Sequence, residues 1–321
     1  MMLIKKNKKT GGLIVFVWFW FLLLLFPGIL SAKEGNKILL INSNASVGKY
    51  KIVQKEFKKA VSGKIMEIDL QGNVKKFTKS KKMSPSDVDI VYCIGSKAYH
   101  LAKTYYKNNI IVFSSIINWR RLGPTPKTYG VSNELLTRMQ FYMFRAVFPG
   151  IKKIGVMYSM KYNAEWFEKA NEQASLLGIE LVGEQIRNNR QSIAKLKKMS
   201  PDIDALWLIS DPLVIGNKKN LFNILRECDK RKKPVFSYHK AFARPSKKEN
   251  IGAVLIVSAD NPTIGRQAAG IAMNLTAGNQ NEEKKIQHPA GSHLTLNLKK
   301  VKAYGLAYEE KALKLFNDIL Q

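Results

Sequence analysis

One pattern is written twice in this chain, and it constrains the fold more than any other feature. Residues 81–96 read KKMSPSDVDIVYCIGS and residues 197–211 read KKMSPDIDALWLISD. Each copy is a polar approach sharing Lys-Lys-Met-Ser-Pro, then an aspartate, an apolar run of strand length and a polar exit. The flanks repeat too. Strands are expected at 37–43 and 65–70 before the first copy, with an amphipathic helix at 50–61 between them. The counterparts before the second copy are strands at 153–159 and 179–186 and a helix at 164–177. After the copies come helices at 97–106 and 221–230 and strands at 110–114 and 234–238. Strand starts recur about every 20 to 30 residues, the spacing of βα units whose parallel strands need helical crossovers. Apolar runs such as AVLIV at 253–257 suit a sheet covered on both faces. The fold class expected is α/β, two doubly wound parallel-sheet lobes joined by a hinge. Ligands of such sheets sit at the carboxyl ends of the strands.

The chain's beginning sets its destination. Lys5, Lys6, Lys8 and Lys9 precede an unbroken apolar run of 14 residues, 13–26, which Pro27 and Gly28 end. This is the layout of a secretory signal peptide over 1–32, with Ala32 the last residue before cleavage. A spanning anchor needs roughly 20 apolar residues, so cleavage and a periplasmic or otherwise exported location are expected. The remaining 289 residues exceed one typical core. The expected division is 33–131 plus 258–293 for the first lobe and 132–257 plus 294–321 for the second. The two cysteines, Cys93 and Cys228, fall in different halves and are expected to stay unpaired. The formal charge is +29, or +25 without the four lysines of the leader. Its lysines are scattered over loops and polar helix faces, so we read a solvated basic surface rather than a nucleic-acid site.

Further residues carry a family likeness. They are Tyr129-Gly130-Val131, the run PGIKKIGVMY at 149–158, Lys233-Pro234-Val235-Phe236, Gly252-Ala253, Ser258-Ala259-Asp260, Ile264-Gly265-Arg266-Gln267-Ala268-Ala269, and LNLKKVKAYGL at 296–306. In this order and spacing the chain resembles the ABC-transporter substrate-binding proteins with a type I periplasmic-binding fold, in the branch that includes tryptophan and tyrosine binders. The resemblance implies a monomeric, non-catalytic receptor that delivers a small molecule, an amino acid or other small acid, to a membrane permease. It also implies chain crossings between lobes near Gly130–Ser132, Ser258–Asp260 and Ser292–Thr295. A sensor that presents a similar ligand to a membrane receptor is the alternative, and an exported enzyme a more distant one.

Candidate ligand contacts lie at strand exits. In the first lobe they are Asn44, Gly95, Ser96, Ser114 and Ser115. Gly95-Ser96 opens a helix whose free N–H groups suit an anion. In the second lobe they are Tyr158, Tyr162, Asn163, Ser210, Asp211 and Tyr238, with Asp260 at a hinge. Asp211 either pairs with a ligand ammonium or caps the segment after it. The Asp211-Pro212 exit and the bulky basic loop Asn118-Trp119-Arg120-Arg121 depart from amino-acid-binding relatives and point away from an aromatic amino acid. Either arginine could clamp an acid group. The sequence carries no G-x-S-x-G, H-E-x-x-H, C-x-x-C or P-loop pattern. His288 and His293 share a loop without nearby cysteine or carboxylate in sequence, a poor metal signal. No catalysis, cofactor or metal is expected.

Overall fold

The computed structural model describes residues 36–75, 77, 84–246, 249–279 and 285–321. The leader expected over 1–32 lies outside these residues, as do Lys81, Lys82 and Met83 of the first repeat.

The central strands follow from short, largely apolar runs such as IVYCI at 90–94 and ALWL at 205–208, while the edge strands Lys64–Asp69 and Glu180–Gln185 carry more polar residues. In the first lobe the strands are β1 (Lys37–Asn42), β2 (Lys64–Asp69), β3 (Ile90–Ile94), β4 (Ile110–Ile116) and β5 (Thr128–Ser132). In the second they are β6 (Lys153–Tyr158), β7 (Glu180–Gln185), β8 (Ala205–Leu208), β9 (Val235–Ser237) and β10 (Leu255–Ala259). The strands β11 (Ile286–Gln287), β12 (Ser292–Asn297) and β13 (Asp318–Leu320) complete the set. The first sheet runs β11-β5-β4-β3-β1-β2, all parallel. The second runs β13-β12-β10-β9-β8-β6-β7. The first five strands of each half therefore share one order, 2-1-3-4-5, which turns back between the first and third strands. The duplication in sequence is a duplication of topology.

The repeated aspartate has one job in both copies. Asp89 Oδ2 accepts the Lys37 N–H at 2.7 Å, while the Asp89 N–H donates to the Lys37 carbonyl. Asp204 Oδ2 accepts the Lys152 and Lys153 N–H groups, each at 2.8 Å, and the Asp204 N–H donates to the Lys153 carbonyl. In each lobe the aspartate ahead of the third strand pins the start of the first. A backbone donor at a strand start has no ladder partner of its own and needs such an acceptor.

Helices cover both faces. They are α1 (Gly48–Ala60), α2 (Ser96–Tyr105), α3 (Thr137–Val147), α4 (Met160–Ser175), α5 (Ser192–Met199), α6 (Pro212–Ile215), α7 (Lys218–Lys230), α8 (Asn261–Thr276) and α9 (Leu298–Tyr304). α1 buries Val53 and Phe57, and the Phe57 ring stacks on Tyr92 of β3 at 3.8 Å. α3 sends Phe141 and Phe144 against Trp207 of β8, and Phe144 also meets Phe236 of β9. Thus the chain leaves the first sheet after β5 and packs α3 on the second. It returns after β10, since α8 packs on α1 and behind β4 and β5. It changes sheet a third time between Gln287 and Ser292, just ahead of Ser292–Thr295. Gly130, inside β5, shows why that strand needs a glycine: a Cβ there would meet the Phe113 carbonyl at 2.4 Å.

Two features differ from the sequence reading. The second sheet is mixed, because β12 runs antiparallel to β10. The run at 253–257 enters its strand two residues late. The Ala253 N–H is taken by the Phe242 carbonyl of a neighbouring loop, so the ladder begins at Leu255. Both cysteines are buried and free. No described helix is long and apolar enough to cross a membrane.

Candidate functional site

Two contacts bring the carboxyl ends of the two sheets face to face. Beyond β4, Asn118 Nδ2 donates to the carbonyl of Ser210, beyond β8, at 2.8 Å. Three residues further on, the Arg121 guanidinium lies 4.1 Å from the ring centroid of Tyr162, beyond β6. The loop beyond β4 of the first lobe therefore meets the exits of β6 and β8, the two strands that flank the second sheet's switch point.

The first-lobe wall is built on Ser43 and Gly95. The Ser43 hydroxyl accepts the Ala98 N–H at 3.0 Å and caps α2 from a neighbouring strand exit. Gly95 sits at φ +84, and a Cβ there would stand 2.7 Å from Ser43 Oγ and 2.9 Å from the Tyr50 hydroxyl. Glycine thus lets Tyr50 lie over the start of α2. Ser96, the first residue of that helix, is exposed. Asn44 turns its side chain on its own loop, where Oδ1 accepts Ser46 N–H and Oγ. Burial raises the Tyr50 hydroxyl above its ordinary value and lowers the Lys49 ammonium.

Ser114 and Ser115 part company. Ser114 Oγ hydrogen-bonds the buried Tyr92 hydroxyl at 2.7 Å, so its side chain belongs to the core. The β4–β5 register shifts between Ser114 and Ile116, and Ser115 takes φ +60 there. Its hydroxyl is buried without a hydrogen-bond partner. A buried orphan hydroxyl on a left-handed backbone is costly twice over, and such features concentrate at ligand sites.

In the second lobe, Asp211 is a hub. Its Oδ2 accepts Ser159 N–H (2.8 Å), Ser159 Oγ–H (2.7 Å) and Asn163 Nδ2–H (2.6 Å). Its Oδ1 accepts the Leu213 and Val214 N–H groups and caps α6. Of the two roles open in sequence, the cap is the one built. Asn163 is likewise committed, held at non-helical φ −138 inside α4. Tyr158 stacks on Phe167 at 4.2 Å, within the lobe. Tyr162 and Ser210 come together with the first lobe, through Arg121 and Asn118. Burial pushes the Tyr238 hydroxyl up, and its ring meets His239 and Phe242 edge-on. His239 is held below the usual imidazole range by burial and then by Lys49. Asp260 stays inside the hinge, its Oδ2 accepting Thr263 N–H and Oγ–H as the cap of α8.

Around the hinge, Glu134 organises the basic loop. It accepts the Asn118 N–H and pairs with Arg120 at 3.1 Å, while its carbonyl bonds His288 Nδ1 at 2.7 Å. Arg120 also lies over Trp119. Arg121 is therefore the arginine left facing the other lobe. Sequence reasoning missed Lys49, Tyr50, Glu134 and Ser237, whose buried hydroxyl also lacks a partner. Lys49-Tyr50 had a legible signal, since they open the helix after the first strand. Among the described residues no three His, Cys, Asp or Glu side chains gather as a metal site.

Two α/β lobes of one topology with strand exits apposed define a type I periplasmic-binding-protein-like fold. The family model for ABC transporter substrate binding proteins matches residues 42–319, and the chain belongs to that family. Its members are non-catalytic receptors for small molecules that cooperate with an ABC permease. None of the curated proteins matches this chain. Solved structures share the fold. One from Streptococcus pneumonia, an ABC domain in complex with L-Trp, has TM-score 0.58 at 16% identity, covering 88% of this chain and 100% of that one. A ligand-free, open substrate binding protein with adhesive properties from Clostridium difficile has TM-score 0.67 at 16% identity, covering 89% and 99%. A conserved domain protein from Vibrio cholerae has TM-score 0.59 at 17% identity, covering 89% and 100%.

Proposed function

We propose that this chain is an exported receptor that closes its two lobes on an amino acid or other small acid and hands it to an ABC permease. The observation that supports this most is the pair of cross-lobe contacts at strand exits, Asn118 with Ser210 and Arg121 with Tyr162. Hinge closure of such lobes around a solute is a common motion. The solute lies among Asn44, Gly95, Ser96, Ser115, Tyr162, Ser210 and Tyr238, with Ser159, Asn163 and Asp211 fixing the second-lobe wall behind them. The leader over 1–32 delivers the chain, which works as a monomer and binds no nucleic acid.

A panel of amino acids, small organic acids, nucleosides and sugars tests the reading by thermal shift. A solute at about 100 times its dissociation constant adds about 2.7 kcal/mol to stability. The panel includes tryptophan, because the pneumococcal relative holds L-Trp. If no class raises the melting temperature and nothing co-purifies, the receptor reading fails. If a bound solute emerges chemically altered, non-catalytic binding fails.

A further inference from the structure

The loop beyond β4 is tied to its own lobe at both ends. Left-handed backbone brackets it, Asn118 at φ +53 and Gly123 at φ +54, with a 3-10 turn over Trp119–Leu122 between them. Asparagine and glycine adopt this conformation at least cost. Lys103 of α2 donates to the Leu122 carbonyl at 2.9 Å and also to the Gly123 carbonyl. Glu134 accepts the Asn118 N–H and pairs with Arg120 at 3.1 Å. The Trp119 ring stands 6.5 Å from the buried Phe113, and Arg120 lies over it at 4.7 Å.

This braced loop reaches two strand exits of the second lobe. Asn118 Nδ2 donates to the Ser210 carbonyl at 2.8 Å, and Arg121 lies over the Tyr162 ring at 4.1 Å. Neither receiving group is loose. Ser210 adjoins Asp211, whose five hydrogen bonds fix that exit, and the Tyr162 N–H donates to the Ser159 carbonyl at 3.2 Å. Burial lowers Arg121, and the opposite charges of Asp211 and Glu134 act against that. The chain crosses between lobes after β5 and after β10. In the order β10-β9-β8-β6, β8 lies two strands from β10 and β6 lies three. At the usual strand spacing the two contacts therefore sit about 10 Å and about 14 Å from that crossing. A hinge rotation that opens the cleft has to break both, because a hydrogen bond does not survive a parting of even 1 Å or so.

We infer that residues 118–123 form a strap, fixed to the first lobe, that holds the cleft closed through the protein's own residues and lets go before the lobes part. Two contacts on one braced loop support each other. Once Asn118 is seated on Ser210, Arg121 is delivered to Tyr162 at little further cost in freedom. The strap needs no solute, so it stands or falls apart from the receptor reading. Where that reading holds, the strap lengthens the stay of the solute, since release waits for both contacts. Arg120 is part of the brace and not of the grip, being paired with Glu134.

The distance between lobes tests this in protein cleared of co-purified solute by unfolding and refolding. Nitroxides attached through Lys55→Cys in α1 and Glu168→Cys in α4, both exposed positions, report it by pulsed electron paramagnetic resonance, and the native thiols are buried. The expected distribution is dominated by the single short distance of the closed form. Asn118→Gly suits the left-handed backbone and removes only the side-chain donor, and Arg121→Gln removes the cation over the ring. Each should lower the closed-to-open ratio about 3- to 5-fold, and the two together about 10-fold or more. Tyr162→Phe should stay within about 2-fold, because the cation needs the ring and not the hydroxyl, whereas Tyr162→Leu should match Arg121→Gln. Lys103→Met should lower the ratio about 2-fold or more, although Lys103 touches nothing in the second lobe. Unchanged circular dichroism of the variants separates an open cleft from lost folding. A mainly open distribution in the labelled parent overturns the inference, and so does an unchanged distribution in the double variant or in Lys103→Met. Each of those results leaves the receptor reading to its own solute panel, and a panel without binders leaves the strap standing.

Discussion

Replacing Asp211 by asparagine separates a built wall from a ligand contact. The carboxylate is 1% exposed and accepts five hydrogen bonds from two strand exits and the start of α6. Asparagine keeps Oδ1 for the Leu213 and Val214 N–H groups. It also places an NH2 where Oδ2 stood. The Ser159 hydroxyl can rotate and accept from that NH2, but the Ser159 N–H and the Asn163 NH2 face another donor. Two buried donors left without acceptors cost about 1–3 kcal/mol each, so the expected loss is about 4 kcal/mol. Asp211→Ala should cost a further 1 kcal/mol or so, because the cap of α6 goes too. Urea unfolding of the ligand-free protein, followed by circular dichroism, measures both. A loss below about 1 kcal/mol for Asp211→Asn would falsify the reasoning, since natural surface changes fall in that range. It would return Asp211 to the pool of groups free to meet a ligand ammonium.

Further outcomes follow from the same geometry. Gly95→Ala should destabilise by about 2–4 kcal/mol through its φ of +84 and the 2.7 Å approach to Ser43 Oγ; a neutral effect in thermal melts would contradict the packing of Tyr50. Asn118→Ala removes a cross-lobe hydrogen bond worth about 1 kcal/mol, shifting the closed-to-open ratio about 5-fold. Small-angle scattering should then show a larger radius of gyration, and an identical curve would refute the bridge. Burial pushes the thiols of Cys93 and Cys228 up, so neither should react with an aromatic disulfide reagent until denaturant is added. Lys240 and His293 lower Asp318 from 3.8 to about 2. A depressed carboxylate adds stability above its unfolded value that is lost as pH falls through the folded one. Asp318→Asn should therefore flatten the stability decline between about pH 4 and 2, by less than about 1 kcal/mol for a partly exposed pair; an unchanged slope would refute the pairing.

The plan of the fold was legible because its central strands are short apolar runs buried on both faces, and because the repeat carries a structural duty. Asp89 and Asp204 each receive the first N–H groups of the first strand in their lobe. That duty ties the aspartate to the strand after it at a fixed offset, which is why the two copies still align. The mixed edge of the second sheet was not legible. β12 alternates Leu294 and Leu296 with polar residues, and nothing in that pattern fixes direction. Direction follows from the return of α8 and β11 to the first sheet, after which the chain re-enters the second from the hinge side and pairs head to tail with β10.

The site was legible as a set of strand ends and illegible as a set of side chains. Ser114 and Ser115 are the same residue in adjacent places, yet one bonds Tyr92 in the core and the other stands unpartnered, because the strand bulges between them. Asp211 and Arg121 invert what their types suggest. The carboxylate at the strand exit spends its hydrogen bonds inside its own lobe, and the loop arginine beside a paired twin reaches Tyr162 of the other lobe. Which polar group is already satisfied depends on backbone donors distant in sequence, such as Ser159 for Asp211 and Asn118 for Glu134. Residue type at a strand exit is therefore readable in sequence, whereas the polar atom left open there, as at Ser115, is decided by partners the chain brings from elsewhere.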